Sequence, residues 1–280
     1  MKLFLNLLRS PVFLVGFVMF VATLVLGLIF PVFYNVNIHD RVVDGYAYMA
    51  PSGKAILGTD HMGLDMLSLL IRGLQSSLYV GLLAGLFATF TGTLLGVYAG
   101  FKGGLIDDII NMFTNLFIVI PQFIILVLVS ASLKEGRSLT LIAFLIGATS
   151  WTWSARAVRA QASSLKSRDH ISLAKVNGAG TLTIVLKHIL PYLASYVFMV
   201  FIMQTASGIL SESAISMIGL GPFDTVSLGT ILNQAMRNEA LTGGAWWAFI
   251  PAMVLVTVVA FALYIINTSM EGVFNPRLRK

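Results

Sequence analysis

The sequence predicts an all-α integral membrane protein with six transmembrane helices. Three observations lead there. Of 280 residues, 57% are hydrophobic and only 11% charged, where a soluble domain carries about 25% charged residues. Six stretches free of Asp, Glu, Lys and Arg lie within 10–39, 73–101, 109–133, 138–155, 188–211 and 240–270. A helix needs about 20 apolar residues to cross about 30 Å of hydrocarbon. With both termini in the cytoplasm, twelve Lys and Arg fall inside and six outside, as the positive-inside rule requires.

The elements follow in order. The run 10–39 comes after Lys2 and Arg9 but lacks a small-x-small cleavage site, so it reads as an uncleaved anchor. Residues 40–73 form the longest external segment. Its LGTDHMG stretch has turn chemistry, with Gly58, Thr59, Asp60 and Gly63. Asp65 is placed to cap an amphipathic helix carrying Leu67, Leu70, Ile71 and Leu74, which reads as an interfacial helix on the outer rim or a contact for a partner. This divides the chain into 1–73, an anchor with its external loop, and 74–280, a five-span core.

In the third span, Asn111, Asn115 and Gln122 share a face at i, i+4 and i+11, and Pro121 kinks the helix. Polar residues inside a bilayer face a cavity or a partner helix. These residues, with Gln204 and Glu212 on the fifth span, are therefore the pathway candidates. The fourth run is the shortest and borrows a turn at one end.

Residues 156–188 hold Arg156, Arg159, Lys166, Arg168, Lys175 and Lys187. Each would cost about 2.5–3.5 kcal/mol at mid-bilayer, so the segment is a cytoplasmic loop. Within it, Asp169 caps a short helix running to about Asn177, and Gly178 or Gly180 supplies the left-handed residue that ends it. Thr181 or Thr183 then caps a second helix leading through His188 to Pro191, where the next span begins. The apolar piece 213–223 is too short to cross and reads as re-entrant or interfacial. The segment 218–244, with Asp224, Arg237 and Glu239, is external.

Several chemistries are excluded. There is no cysteine, and His39, His61, His170 and His188 sit in different segments, so no metal site is expected. No phosphate loop, nucleophile elbow or H-E-x-x-H occurs. The chain is therefore not expected to be an enzyme, and a transporter's energy must come from a partner or an ion gradient. No basic stripe interleaved with aromatics suggests nucleic acid. An ion-coupled secondary transporter would need intramembrane carboxylates and broken, paired helices. Only Glu212 stands near such a position.

The stretch SWTWSARAVRAQASSLKSRDHISLAKVNGAGTLTIVLKHILP resembles the cytoplasmic loop of binding-protein-dependent ABC transporter permeases. That pattern is Glu-Ala-Ala-x-x-x-Gly followed by His-Ile-Leu-Pro. Ala174, Gly178, His188, Ile189, Leu190 and Pro191 match it, while Ser172 and Leu173 replace its Glu and first Ala. LGTDHMGLDMLSLLIRG (57–73), ESAISMIGLG (212–221) and FNPRLRK (274–280) resemble signatures of the dipeptide/oligopeptide/nickel branch. Leu64 stands for an Arg, Leu228 for a Trp, and INTSMEGV for a Gly-Asp-Gly-Leu-Arg-Asp.

The resemblance implies a type I importer permease in a bacterial or archaeal cytoplasmic (inner) membrane. Its partners would be a second permease, two ATPase subunits carrying ATP and Mg, an extracytoplasmic binding protein and membrane lipid. No cofactor would bind this chain. The loop's first helix would couple to the ATPase through Asp169, Ser172, Leu173, Ala174, Lys175 and Gly178, with His188 at the following helix. The substrate would be an oligopeptide or dipeptide, or an oligosaccharide or nickel or other metal chelate.

Overall fold

The computed structural model describes residues 7–8, 10–34, 36, 47–133 and 136–274. Among them the regular structure is helical, and residues 59 and 65 form one isolated antiparallel bridge. The basic residues Lys2, Arg9, Arg41 and Lys134, together with His39 and the NPRLRK terminus, lie outside the described residues.

Helix α1 spans Pro11–Phe33, with Ser10 accepting from the Phe13 N–H at its start. α2 covers Met66–Lys102 and α3 Gly104–Val119. α4 is Gln122–Ser132 and α5 Leu139–Leu165. The short α6 is Asp169–Val176, and α7 runs from Thr181 to Met217. α8 is Leu228–Arg237 and α9 Ile250–Phe274, the latter preceded by a 3-10 turn, Trp246–Ala248.

Four helices, α1, α2, α7 and the last, are long and apolar enough to cross a membrane. α3 and α4 make a fifth if the bent pair counts as one span. The expected fourth span, 138–155, is the first part of α5, whose 27 residues also take in Arg156 and Arg159.

α2 is the central post. Gly92, Gly96 and Gly100 line the seam where it meets α5, and Gly81 and Gly85 the seam where it meets α7. A Cβ on Gly96 would sit 2.5 Å from the Ala155 carbonyl, and one on Gly85 2.6 Å from the Thr205 hydroxyl. Small residues four apart let helix backbones touch in lipid, where packing replaces the hydrophobic effect as the driving force. α7 closes the other side of α2, and α9 packs on α7 and α1.

Several boundaries differ from the expectations above. The segment foreseen as an interfacial amphipathic helix is the start of α2, continuous across residue 73. Met66, Leu69, Leu70, Ile71 and Leu74 are all buried there, because α8 and α9 pack around them. α7 begins ten residues before Pro191, and its end takes in 213–217 of the piece read as re-entrant. Pro191 is accommodated inside this helix by a π turn at Val185–Ile189, where the Leu190 N–H reaches the Val185 carbonyl. α1 repeats the device, with a π turn at Val25–Ile29 before Pro31. The extra residue in each turn absorbs the proline's missing donor.

The third span is broken rather than kinked. α3 and α4 meet at 78° across Ile120 and Pro121. This takes Gln122 off the face shared by Asn111 and Asn115, because it begins a different helix.

Candidate functional site

Three regions hold the sequence-selected residues. The first is a cavity of about 380 Å³ at the break between α3 and α4, lined by Pro121, Gln122, Thr149, Trp153, Gln204 and Tyr264 among others. Pro121 offers no N–H to the Phe117 carbonyl, so the broken end of α3 presents free acceptors. Gln204 is only 5% exposed. Its amide nitrogen donates to the Ser150 carbonyl at 2.8 Å and to the Ser154 hydroxyl. A backbone carbonyl only accepts, so the amide orientation is fixed. Gln122 donates to Thr149 at 3.2 Å, and Thr149 donates to the Leu145 and Ile146 carbonyls. No Asp, Glu, Lys or Arg lines this cavity.

Trp153 and Met203 are shared with a second cavity of about 870 Å³ toward the α6 end, which holds Arg168 and Glu271. The two form a groove along α5, α7 and α9.

Asn111 and Asn115 stand apart from it. Asn111 donates to Asp107 at 3.2 Å, and Asn115 accepts from Arg156 at 2.7 Å. Arg159 grips Asp107 with two N–H groups, one at 2.6 Å. The two arginine pairs fasten α3 to α5. Glu212 is fully buried and also off the groove. It accepts from Ser77 of α2 at 2.8 Å and from Ser216 at 2.7 Å, and Ser77 accepts from the Leu228 N–H at the start of α8 at 3.2 Å. It ties three helices together.

The second region is α6. Asp169 opens its first turn, but Arg168 occupies the cap position without a side-chain bond. The expected cap at Asp169 is thus displaced by one residue, and its carboxylate still favours the helix N-terminus. Likewise Gly180, not Thr181 or Thr183, caps α7. Gly178 has φ +77°, while the Gly178 and Ala179 N–H groups reach Lys175 and Ala174 carbonyls at 3.0 Å. This is the paired closure of a Schellman end. Ile171 and Ala174 face inward, into a cluster with Val97 and Phe101 of α2, Val158 and Ala162 of α5, and Ile184 and Ile189 of α7. Ser172, Leu173, Lys175 and Val176 face out, with Leu173 63% and Val176 84% exposed. Lys175 lies 5.2 Å over the Phe101 ring, and His188 lies in the π turn of α7.

The third region, at the opposite end, is the LGTD stretch. Gly58 and Gly63 take φ +73° and +80°. Asp60 accepts from the Met62 and Leu64 N–H groups at 2.8 Å each. Asp65 caps α2, accepting from the Ser68 N–H at 3.0 Å, its hydroxyl at 2.7 Å, and Tyr34 at 3.1 Å. Trp247 donates to the Thr59 carbonyl at 3.1 Å. Tyr48 donates to the Asn238 carbonyl at 2.9 Å, and burial with the nearby Asp60 charge raises its pKa. These bonds pin the loops of that end together.

Sequence reasoning did not select Thr149, Ser150, Trp153 or Tyr264, since nothing local marks a helix face that lines a groove. It also passed over Arg137. Among the described residues no three His, Asp or Glu side chains converge as a metal site would require.

Residues 92–280 match the family described as "Binding-protein-dependent transport system inner membrane component". The oligopeptide transport system permease protein OppC of Mycobacterium tuberculosis H37Rv is 29% identical over 223 residues, 79% of this chain and 76% of that protein. OppC of Lactococcus lactis IL1403 is 29% identical over 247 residues, 88% and 81% of the two chains. The dipeptide transport system permease protein DppC of Bacillus subtilis 168 is 28% identical over 236 residues, 83% and 72%. The family match spans well over half of the sequence, on a bundle of helices suited to lipid, and the chain accordingly belongs to the binding-protein-dependent transport system inner membrane components.

Proposed function

We propose that the chain is one of two permease halves of an ATP-driven importer for oligopeptides or dipeptides. Its relatives' names supply the substrate class. ATP and Mg sit on two separate ATPase subunits, and a binding protein delivers substrate from outside. The chain crosses the cytoplasmic membrane six times with both termini inside. α5, about 40 Å long, serves as the fourth span, with Arg156 and Arg159 near its inner end. The α6 end carries Lys102, Lys166, Arg168, Lys175 and Lys187, in keeping with a cytoplasmic face.

The observation that carries this reading is the two-sidedness of α6. Its inner face is packed on three long helices, while its outer face leaves Leu173 and Val176 bare. Pressure from an ATPase on that bare ridge would pass directly to α2, α5 and α7. Two of those helices, α5 and α7, border the groove at the α3–α4 break, which supplies this half of the translocation pathway. Ser172 stands beside the ridge as a neutral hydroxyl, so apolar contact does the gripping.

The test is reconstitution with the cognate ATPase and binding protein. Gly178→Leu forces a side chain into φ +77°, costing about 1–2 kcal/mol and tilting α6, and Val176→Asp charges the ridge. Both variants should fold, hydrolyse ATP without substrate control, and lose most peptide uptake. Normal uptake by both would refute the reading.

A further inference from the structure

We propose that the outer end of the chain holds a pocket, floored by Arg137, that receives the C-terminal carboxylate of the peptide substrate. The proposal rests on the import reading above. The pocket is a cavity of about 630 Å³, lined by Arg72, Arg137 and Arg237 against one acid, Asp224. It lies between α2, the link before α5 and the segment around α8.

Arg137 is the unusual member. It is 7% exposed, yet its Nε has no hydrogen-bond partner. One terminal nitrogen reaches the Ser130 carbonyl at a long 3.4 Å. Its guanidinium lies 4.0 Å over the Phe223 ring, and the Phe223 N–H donates to the Arg137 carbonyl at 3.2 Å. Ring and backbone together hold the guanidinium plane, and its Nε, itself shut off from solvent, is left without a partner. The ion pairs among the described residues are His61 with Asp60 and Arg159 with Asp107, so no described carboxylate reaches Arg137.

A buried, permanently charged guanidinium without an anion is costly, and proteins pair such groups. The edge that holds this nitrogen is the one that takes both oxygens of a carboxylate in a bidentate pair. Arg72 and Arg237 add positive potential at the same cavity, which draws an anion in. A peptide arriving from a binding protein always carries one carboxylate at its end. Recognising that group is compatible with any side-chain sequence.

The experiment compares trialanine with its C-terminal amide on the full chain in phosphatidylcholine nanodiscs, by calorimetric titration, and in uptake by the reconstituted complex. Wild type should favour the free acid by about tenfold, the worth of one charge-assisted pair. Arg137→Gln should abolish the preference. The exposed Arg237→Gln, which cannot plausibly unfold the chain, should reduce it severalfold. Equal affinity of acid and amide for wild type overturns the proposal, as does a preference that both variants retain. Glu135, two positions before Arg137 in the sequence, lies outside the described residues; Glu135→Gln should leave the preference unchanged, and a tenfold gain in acid affinity would overturn the proposal too. The two readings fail separately. Intact, equal uptake of acid and amide removes the pocket alone. Absence of any peptide uptake, with propionate still binding wild type but not Arg137→Gln, removes the import reading alone.

Discussion

Glu212 shows how a charge-bearing residue can be structural in a transport protein. Ser77, Ser216 and the α8 start converge on it in a site closed to solvent. Removing one partner of a buried network strands the others, at about 1–3 kcal/mol per orphaned group. Glu212→Ala should therefore lower the unfolding midpoint in detergent sharply, and Glu212→Gln, which keeps the shape and one acceptor, much less. Equal midpoints for wild type and Glu212→Ala would show that the network adds nothing. At this scale the sequence was only partly legible. It marked Glu212 as anomalous, because a carboxylate in an apolar run always is, but its partner Ser77 lies 135 positions away. Nothing in one sequence distinguishes a residue that bridges helices from one that meets substrate.

At the level of elements, the broken third span is the chief departure from expectation. Pro121 was legible as a helix breaker, but its effect depends on what surrounds it. Here Gln122 restarts a helix at 78° and anchors on Thr149, so the break is held open by α5. Pro121→Ala returns an N–H to the Phe117 carbonyl and should straighten the pair. Spin labels at positions 109 and 128 should then move apart by several ångströms relative to wild type. An unchanged distance would mean that packing on α5 alone sets the angle. The short helix α6 and its left-handed Gly178 were readable, since glycine after a capped turn has few other uses. The two π turns were not. Their shared wording, Val-Leu-x-x-Ile-x-Pro at 25–31 and 185–191, is visible only once the structure assigns it a meaning. The glycine seams of α2 were written openly at spacings of four, yet hydrophobic-run counting passes over them because glycine registers as neither apolar nor charged.

The whole molecule separates into two ends with different jobs. One end is basic and carries α6; the other gathers the LGTD loop, the link before α5, and α8. Each of the six charge-free runs falls on helix, but α6 and α8 lie outside them and the limits fell short. α2, α5 and α7 each run on past the ends of their charge-free runs. The absence of cysteine allows a clean test of sidedness. Single cysteines at Val176 and Ile56, both exposed, should react with an impermeant thiol reagent from opposite faces of the membrane, Val176→Cys from the cytoplasm alone. Labelling of both from one face would overturn the arrangement.

α2 runs 37 residues without interruption, about 55 Å of rod in a film about 30 Å thick. One tip is clamped by the Asp65 cap, and the other lies against α6. A tilt of about 6° pivoting on one tip sweeps the far tip through about 6 Å. Such reach asks no residue along the shaft to change conformation: a stroke of a few degrees is geared up by length alone.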